Sequence, residues 1–359
     1  MREHPLFWLL AAVPAVFIAK QVAPESHTTL FALAVLAIVP LAALLSYATE
    51  NVAARTGDGV GGLLNATLGN LTELVIGITA LRAGMYDLVK ASIAGAIVTN
   101  SLFMLGMALL LGGLKHRLQQ YNPDSARLQA GMLFLAAVAL VVPSFIGASE
   151  RPGADAIILD LSIGLAVLLL VAYVLGLVFS LGTHREFFVS AGHTAHADEG
   201  TQLWPVRTAI VVLGVVTVVV ALVSEIFVES VQHAAIAFGM TPAFVGFIVV
   251  AIVGAAAEMT AAFAAARKNR LDLSVGIALG SSSQIAMFIA PVLVLLSLVI
   301  APVPMDLHFW PGAVIMVLLS TLTVFFVANS GRSAWYLGVM LLVVYATFAM
   351  TLYLLPPIG

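Results

Sequence analysis

Gly61-Gly-Leu-Leu-Asn-Ala-Thr-Leu-Gly-Asn-Leu-Thr-Glu73 carries an acidic residue deep inside an apolar run that extends from 60 to 81. Crossing the hydrocarbon core of a bilayer takes a helix of about 20 residues, and this run is long enough. Within it Gly62, Asn65, Gly69, Asn70, Glu73 and Gly77 recur at spacings of mostly three or four, which puts them on one small, polar helical face. A carboxylate there costs at least about 2.5–3 kcal/mol to insert, so it turns toward a polar interior and needs a partner. A structural ion pair would satisfy it, but no Lys or Arg lies within the core of any apolar run in the chain.

The rest of the chain has the same character. Of its 359 residues 62% are hydrophobic and 9% charged. A soluble domain runs nearer 45–50% apolar and about 25% charged, so the bulk solvent here is lipid. A net charge of −3 gives no reason to expect a nucleic-acid partner, and the absence of cysteine excludes disulfides, thiolate metal sites and Cys nucleophiles. Leu6–Val22 is apolar with no small-residue cleavage motif after it, and reads as a first span rather than a removable leader. Breaks at charge and Pro/Gly clusters give eleven spans, near 6–22, 29–49, 60–81, 88–113, 128–148, 156–181, 206–228, 241–266, 272–300, 309–328 and 334–355. With the N-terminus inside, eleven Lys and Arg residues fall on the cytoplasmic side and only Lys20, Arg82, Lys90 and Arg151 fall outside. The positive-inside rule therefore predicts a cytoplasmic N-terminus and an external C-terminus. The hydrophilic stretch His184–Pro205 reads as a cytoplasmic linker. Its His184, His193 and His196, near Asp198 and Glu199, either bind a metal such as zinc or simply sit in a solvated loop.

Shifting the chain by 185 residues superimposes Gly69 on Gly254, Glu73 on Glu258, Ala80 on Ala265 and Arg82 on Arg267. Asp87 and Leu88 meet Asp272 and Leu273, Gly95 meets Gly280, and Phe103 meets Phe288, making eight ungapped identities in the 38 positions from 69 to 106. Matches at Glu, Arg and Asp weigh most, because those types are scarce here. The offset lays spans two to six on seven to eleven. Five spans is an odd number, so the second unit should be inverted relative to the first. The predicted fold is an all-α polytopic membrane protein: an N-terminal helix in 1–28, a first five-helix repeat in 29–182, the linker in 183–205 and a second repeat in 206–359. Inverted repeats are an architecture of secondary transporters, with the ion site near the midplane where the repeats meet.

Two acidic residues, Glu73 and Glu258, then face one another. Both cannot stay ionised at low dielectric without a cation. The pair has two neutral states, both carboxyls protonated or both ionised around one divalent ion, and such exclusive occupancy is the chemistry of an antiporter. Charge alone would set two protons against each divalent ion. Hard Ca²⁺ wants about six to eight oxygens, so neighbours must add to the carboxylates. Asn70, Thr99, Asn100, Ser101, Ser281, Ser282, Ser283 and Gln284 are the nearby amides and hydroxyls, and Gly69 and Gly254 let helices approach or unwind. Hydroxyls here equally serve as glue between helices. Glu50 and Glu225, near the ends of spans two and seven, either funnel cations or are interfacial charges.

The stretch 61–73 closely resembles the first signature of the calcium/cation–proton exchanger (CAX) family of the cation/calcium exchanger superfamily. Lys268-Asn-Arg-Leu-Asp-Leu-Ser-Val-Gly-Ile-Ala-Leu-Gly-Ser-Ser-Ser-Gln-Ile-Ala286 resembles the region after its second signature, and the likeness runs from about 29 to 355. The resemblance implies eleven helices, ten of them in two inverted halves. It also implies alternating-access exchange of a cation, Ca²⁺ foremost, for protons, with no cofactor. Glu73 and Glu258 match the family's ion- and proton-carrying glutamates, and Asn70, Asn100, Ser282 and Gln284 match polar positions around them. The second signature departs: Ala255 and Met259 stand where the family has Asn and His. A Met thioether is a poor ligand for Ca²⁺, so Na⁺ or K⁺ exchange for protons, or Na⁺-driven calcium exchange, stays open. The chain matches a prokaryotic cytoplasmic-membrane member, and assembly into a homo-oligomer is compatible with it. A cation channel could reuse paired acids, though an inverted repeat suits alternating access better. An intramembrane enzyme is not expected: the chain has no His-Glu-x-x-His helix, and no buried histidine stands by Ser281–Ser283.

Overall fold

The computed structural model describes residues 5–56, 58–147, 154–183 and 204–354, so the three linker histidines lie outside the described residues. A 3-10 helix, Pro5–Ala11, leads into α1 (Ala12–Val22), followed by α2 (His27–Ala53), α3 (Asp58–Leu68), α4 (Leu71–Arg82) and α5 (Tyr86–His116). A short strand, β1 (Leu118–Gln120), precedes α6 (Pro123–Gly147) and α7 (Ala154–Val178). The second half runs through α8 (Val206–Ala237), α9 (Pro242–Gly254), α10 (Ala256–Arg267), α11 (Leu271–Ile300), α12 (Pro311–Ala328), β2 (Arg332–Ala334) and α13 (Trp335–Leu354).

Among the described residues eight helices are long and apolar enough to cross a membrane, and α9 with α10 forms a further span bent by 60°. α8 shows why the surroundings are lipid. Val216, Val220 and Val223 are buried against the protein, while Val211, Val215 and Val218 on the opposite face are exposed and equally apolar. In hydrocarbon every backbone group must find its bond inside the chain, which leaves helices as the spanning element. The most extensive helix–helix interface among the described residues joins α2 to α8.

The sequence reading treated 60–81 and 241–266 as single spans, and the structure breaks both. Asn70 (φ −99°, ψ 33°) separates α3 from α4, and Ala255 (φ −80°, ψ 7°) separates α9 from α10. Both half-helices after the breaks are twelve residues long and begin 185 positions apart. α5 and α11 also begin 185 apart, and each widens into a π-helical turn, Thr99–Met104 and Ile285–Ile289. Such turns inside α-helices are frequent at functional sites. α5 can lie against α9 only because residue 95 is Gly: a Cβ there would stand 2.2 Å from the Phe247 carbonyl oxygen.

Two non-helical pieces tie the bundle at its ends. β1 pairs antiparallel with β2, Gln119 opposite Ser333. From that corner Gln119 Nε2 donates to the Ala266 carbonyl at 2.9 Å and Lys115 Nζ to the Arg267 carbonyl at 2.9 Å, capping the free end of α10. At the other end, the extended segment 301–310 has its N–H groups served by side-chain hydroxyls. Val303 N donates to Tyr86, Met305 N to Ser297, Leu307 N to Ser162 and Phe309 N to Ser144. Lys90 pairs with Asp306 on the same segment.

Candidate ion-binding site

Glu73 and Glu258 are each the third residue of the half-helix that follows a break, in α4 and α10 respectively. A helix start presents N–H groups and partial positive charge, so the breaks put the helix ends where they favour an anion. The Glu73 side chain packs against the break that precedes Glu258, since a Cβ on Gly254 would lie 3.0 Å from its Cγ, and Glu258 follows four residues on. Both carboxylate oxygens of Glu73 are buried with no hydrogen-bond partner among the described residues, and so is Asn100 Oδ1. Orphaned acceptors of this kind are costly unless something positive meets them. Among the described residues no group of three or more His, Cys, Asp or Glu side chains comes together, so further ligands would be amides, hydroxyls or carbonyls.

Four of the polar residues read from sequence join in one network. Asn70 Nδ2 donates to Gln284 Oε1 at 2.6 Å, Ser281 Oγ donates to Asn70 Oδ1 at 2.6 Å, and Asn100 Nδ2 donates to Ser281 Oγ at 3.0 Å. The break at Asn70 is thereby fastened to α11, and through Ser281 to α5. Gly69 adjoins the network, since a Cβ on it would lie 3.7 Å from Gln284 Oε1. The others are placed differently. Ser282 Oγ donates to the Ala278 carbonyl of its own helix at 2.8 Å, and Ser101 does the same toward Ile97. Thr99 shares a hydrogen bond with the Tyr345 hydroxyl at 3.2 Å, and the Ser283 hydroxyl is buried without a partner among the described residues. Ser46 donates to Glu50 at 3.4 Å, whereas Glu225 is exposed on α8. Ala255 and Met259 are both buried.

A cleft runs from Glu73 between α4, α5, α9 and α11, lined by Ile76, Ser92, Ala96, Gly254, Ile285 and Leu293 among others. Sequence reasoning passed over Ser92, a lone hydroxyl in an apolar run, and Tyr345, whose partner is remote in sequence. Gly254 lines this cleft beside Glu73. A Cβ there would lie 3.0 Å from Glu73 Cγ and 3.4 Å from Oε1, so Gly254→Ala must displace the carboxylate by a few tenths of an ångström. We expect that variant to fold and to transport about tenfold more slowly, since small misplacements of a reacting group are costly. Initial rates in vesicles, compared at equal amounts of reconstituted protein, check this.

The chain matches the family described as "Sodium/calcium exchanger protein" over residues 26–182 and 208–354. It is 40% identical over 346 residues to a Ca(2+)/H(+) antiporter of a Synechocystis species, covering 92% of each chain. It is 37% identical over 350 residues to the Ca(2+)/H(+) antiporter ChaA of Bacillus subtilis, covering 97% of this chain and 99% of that one. The solved structure of native YfkE superimposes with a TM-score of 0.84 at 35% identity, covering 98% of this chain and 100% of that one. The H+/Ca2+ exchanger CAX crystal structure matches in fold, with a TM-score of 0.72 at 15% identity over 97% of this chain and 92% of that one.

Proposed function

This chain belongs to the sodium/calcium exchanger protein family, and from that premise we propose that it is a Ca²⁺/H⁺ antiporter working by alternating access. The observation that carries the reading is the buried carboxylate of Glu73, without a hydrogen-bond partner among the described residues and packed against the break that precedes Glu258. Two acids in lipid must share one positive guest, either a divalent ion or a pair of protons. Asn70, Asn100, Ser281 and Gln284 would add oxygens for a hard cation. Ser282 and Thr99 would shape the helices around them, Gly69 and Gly254 would give the carboxylates room, and Glu50 would gather cations at the approach to Glu258. Glu225 is assigned no part in the cycle. The curated relatives named Ca(2+)/H(+) antiporters favour calcium for protons over monovalent, sodium-driven or channel readings.

The layout belongs to the same proposal: eleven spans, with 1–28 as an N-terminal helix and 29–182 and 206–359 as inverted repeats joined by 183–205. The matching lengths and spacing of α4 and α10 support it. The charge asymmetry supports an N-terminus and linker in the cytoplasm and a C-terminus outside, in the cytoplasmic membrane of a prokaryotic cell as the resemblance implies. The test is reconstitution. In liposomes holding a pH-sensitive dye, Ca²⁺ added outside should drive proton movement, and a pH gradient should drive Ca²⁺ uptake. Flux down a Ca²⁺ gradient with no proton movement would mark a channel, and dependence on Na⁺ would mark the sodium-driven reading.

A further inference from the structure

Two tyrosines stand in matching places behind the ion site. Under the 185-residue correspondence Phe103 answers to Phe288, and each lies in the π-helical turn of its helix, α5 or α11. A tyrosine packs on each ring. Tyr345 of α13 lies 5.2 Å from Phe103, and Tyr173 of α7 lies 5.2 Å from Phe288, centroid to centroid. α7 closes the proposed first repeat and α13 the second, so each tyrosine reaches the turn of the opposite repeat. Both tyrosines are buried, and both place their hydroxyl on a threonine. Tyr345 shares its hydrogen bond with Thr99 at 3.2 Å, and Tyr173 bonds the Thr67 side chain. Thr67 gives its own proton to the Leu63 carbonyl at 2.7 Å, so Tyr173 is the donor. Each threonine adjoins a site amide. Thr99 precedes Asn100, and Tyr345 spans the stretch from Thr99 to Phe103 in which Asn100 turns toward Ser281. Thr67 lies one turn before Asn70 and Phe288 one turn after Gln284, so Tyr173 joins α3 to α11 one turn away from the Asn70–Gln284 bond. Backbone contact seats α13: a Cβ on Gly338 would stand 2.5 Å from the Gly106 carbonyl oxygen, and two helical turns separate Gly338 from Tyr345 and Gly106 from Thr99.

We propose that Tyr173 and Tyr345 are positioning residues for the ion site: through Thr67 and Thr99 their hydroxyls hold Asn70 and Asn100 at the settings that bind Ca²⁺. The inference rests on the proposed exchange activity and deepens it, since the tyrosines act through the amides and not as ligands. A π-helical turn is a rare form, and a bond from a neighbouring helix at its first residue opposes a return to the α form, which would rotate Asn100 relative to Ser281. At Asn70 the chain leaves helical geometry, and a brace one turn earlier limits how far α3 can swing. Amide oxygens serve a hard cation when they converge on it, and the groups that orient such ligands matter nearly as much as the ligands do. Because each brace comes from the other repeat, the two halves fix each other's amides.

The experiment compares wild type, Tyr345→Phe and Tyr173→Phe in proteoliposomes, reading the KM for Ca²⁺ and the maximal rate of proton-coupled exchange. Phe keeps the ring and its stacking partner and removes one oxygen, so both variants should fold. Each should raise KM about fivefold, the size expected of one neutral hydrogen bond, with the maximal rate within about twofold of wild type. Thr99→Val removes the Tyr345 bond from its other end. It should raise KM alike, and combining it with Tyr345→Phe should add nothing further. The two Phe substitutions together should multiply, because they act on different amides. An unchanged KM in either Phe variant while exchange continues would overturn the role of that tyrosine, as would a lowered melting temperature with KM unmoved, the mark of packing alone. A Thr99→Val effect that multiplies with that of Tyr345→Phe would overturn the action through their shared bond. All of these outcomes leave the antiport reading intact, whereas absence of any proton-coupled Ca²⁺ movement by wild type would overturn that reading and this inference together.

Discussion

Glu73→Gln and Glu258→Gln should each lower proton-coupled Ca²⁺ transport by about a thousandfold while leaving the fold intact. The substitution keeps shape and one carbonyl oxygen, so a ligand atom remains. What it removes is a unit charge and the capacity to carry a proton. Two unit charges 4 Å apart attract by about 4 kcal/mol at an effective dielectric of 20, and the divalent ion loses an attraction of at least that size, which is roughly a factor of 10³. Glu73→Gln should leave the empty protein as stable as wild type or more so, because a buried carboxylate without a donor is itself a cost. Thermal unfolding followed by size-exclusion chromatography, beside liposome transport, separates the two effects. A variant that folds and exchanges at the wild-type rate would remove that glutamate from the mechanism.

Gly95→Leu should abolish assembly rather than transport alone. The backbones of α5 and α9 touch there: an added Cβ would meet the Phe247 oxygen at 2.2 Å, its Cα at 2.4 Å and its carbonyl carbon at 2.6 Å. Backbone cannot rotate away as a flexible side chain can. Overpacking a tight core costs about 1–3 kcal/mol when side chains yield, and more is expected when a helix must shift. The contact is doubled from the other face, where a Cβ on Gly246 would stand 2.5 Å from Ala91 Cβ. Pushing α5 and α9 apart would also move the break at Ala255, so any residual protein should transport poorly. Yield and melting temperature of the purified variant check this, and a wild-type melt would refute the close crossing.

Much of the architecture follows from solvent. Long apolar stretches such as 206–228 have one stable form in lipid, and the helix α8 found there extends from Val206 to Ala237. The acidic pair was legible for the same reason, since a carboxylate in an apolar run has little business there without a function. The breaks were not legible as breaks, because Asn70 and Ala255 have no common chemistry. A glycine, Gly69 or Gly254, immediately precedes each turning residue, and the sequence marks these glycines as places where a helix can unwind without marking the breaks themselves. The strands were also hidden. Three residues each, Leu118–Gln120 and Arg332–Ala334, they pair only because folding brings two distant corners together. Among the polar residues, sequence could name Ser281 and Ser282 but could not tell them apart. One reaches Asn70 across the site and the other bonds back to its own helix, because adjacent residues on a helix point about 100° apart.

The cap on α10 gives the β1–β2 corner mechanical reach. Gln119 and Lys115 grip the last carbonyls of a helix whose third residue is Glu258, about 14 Å away at 1.5 Å per residue. A stiff rod held at one end passes on whatever is done to that end. Because β1 is also hydrogen-bonded to β2, a tug on either strand reaches Glu258 along the same shaft. The corner is a handle on the site, available to anything that takes hold of the protein at that end of the bundle.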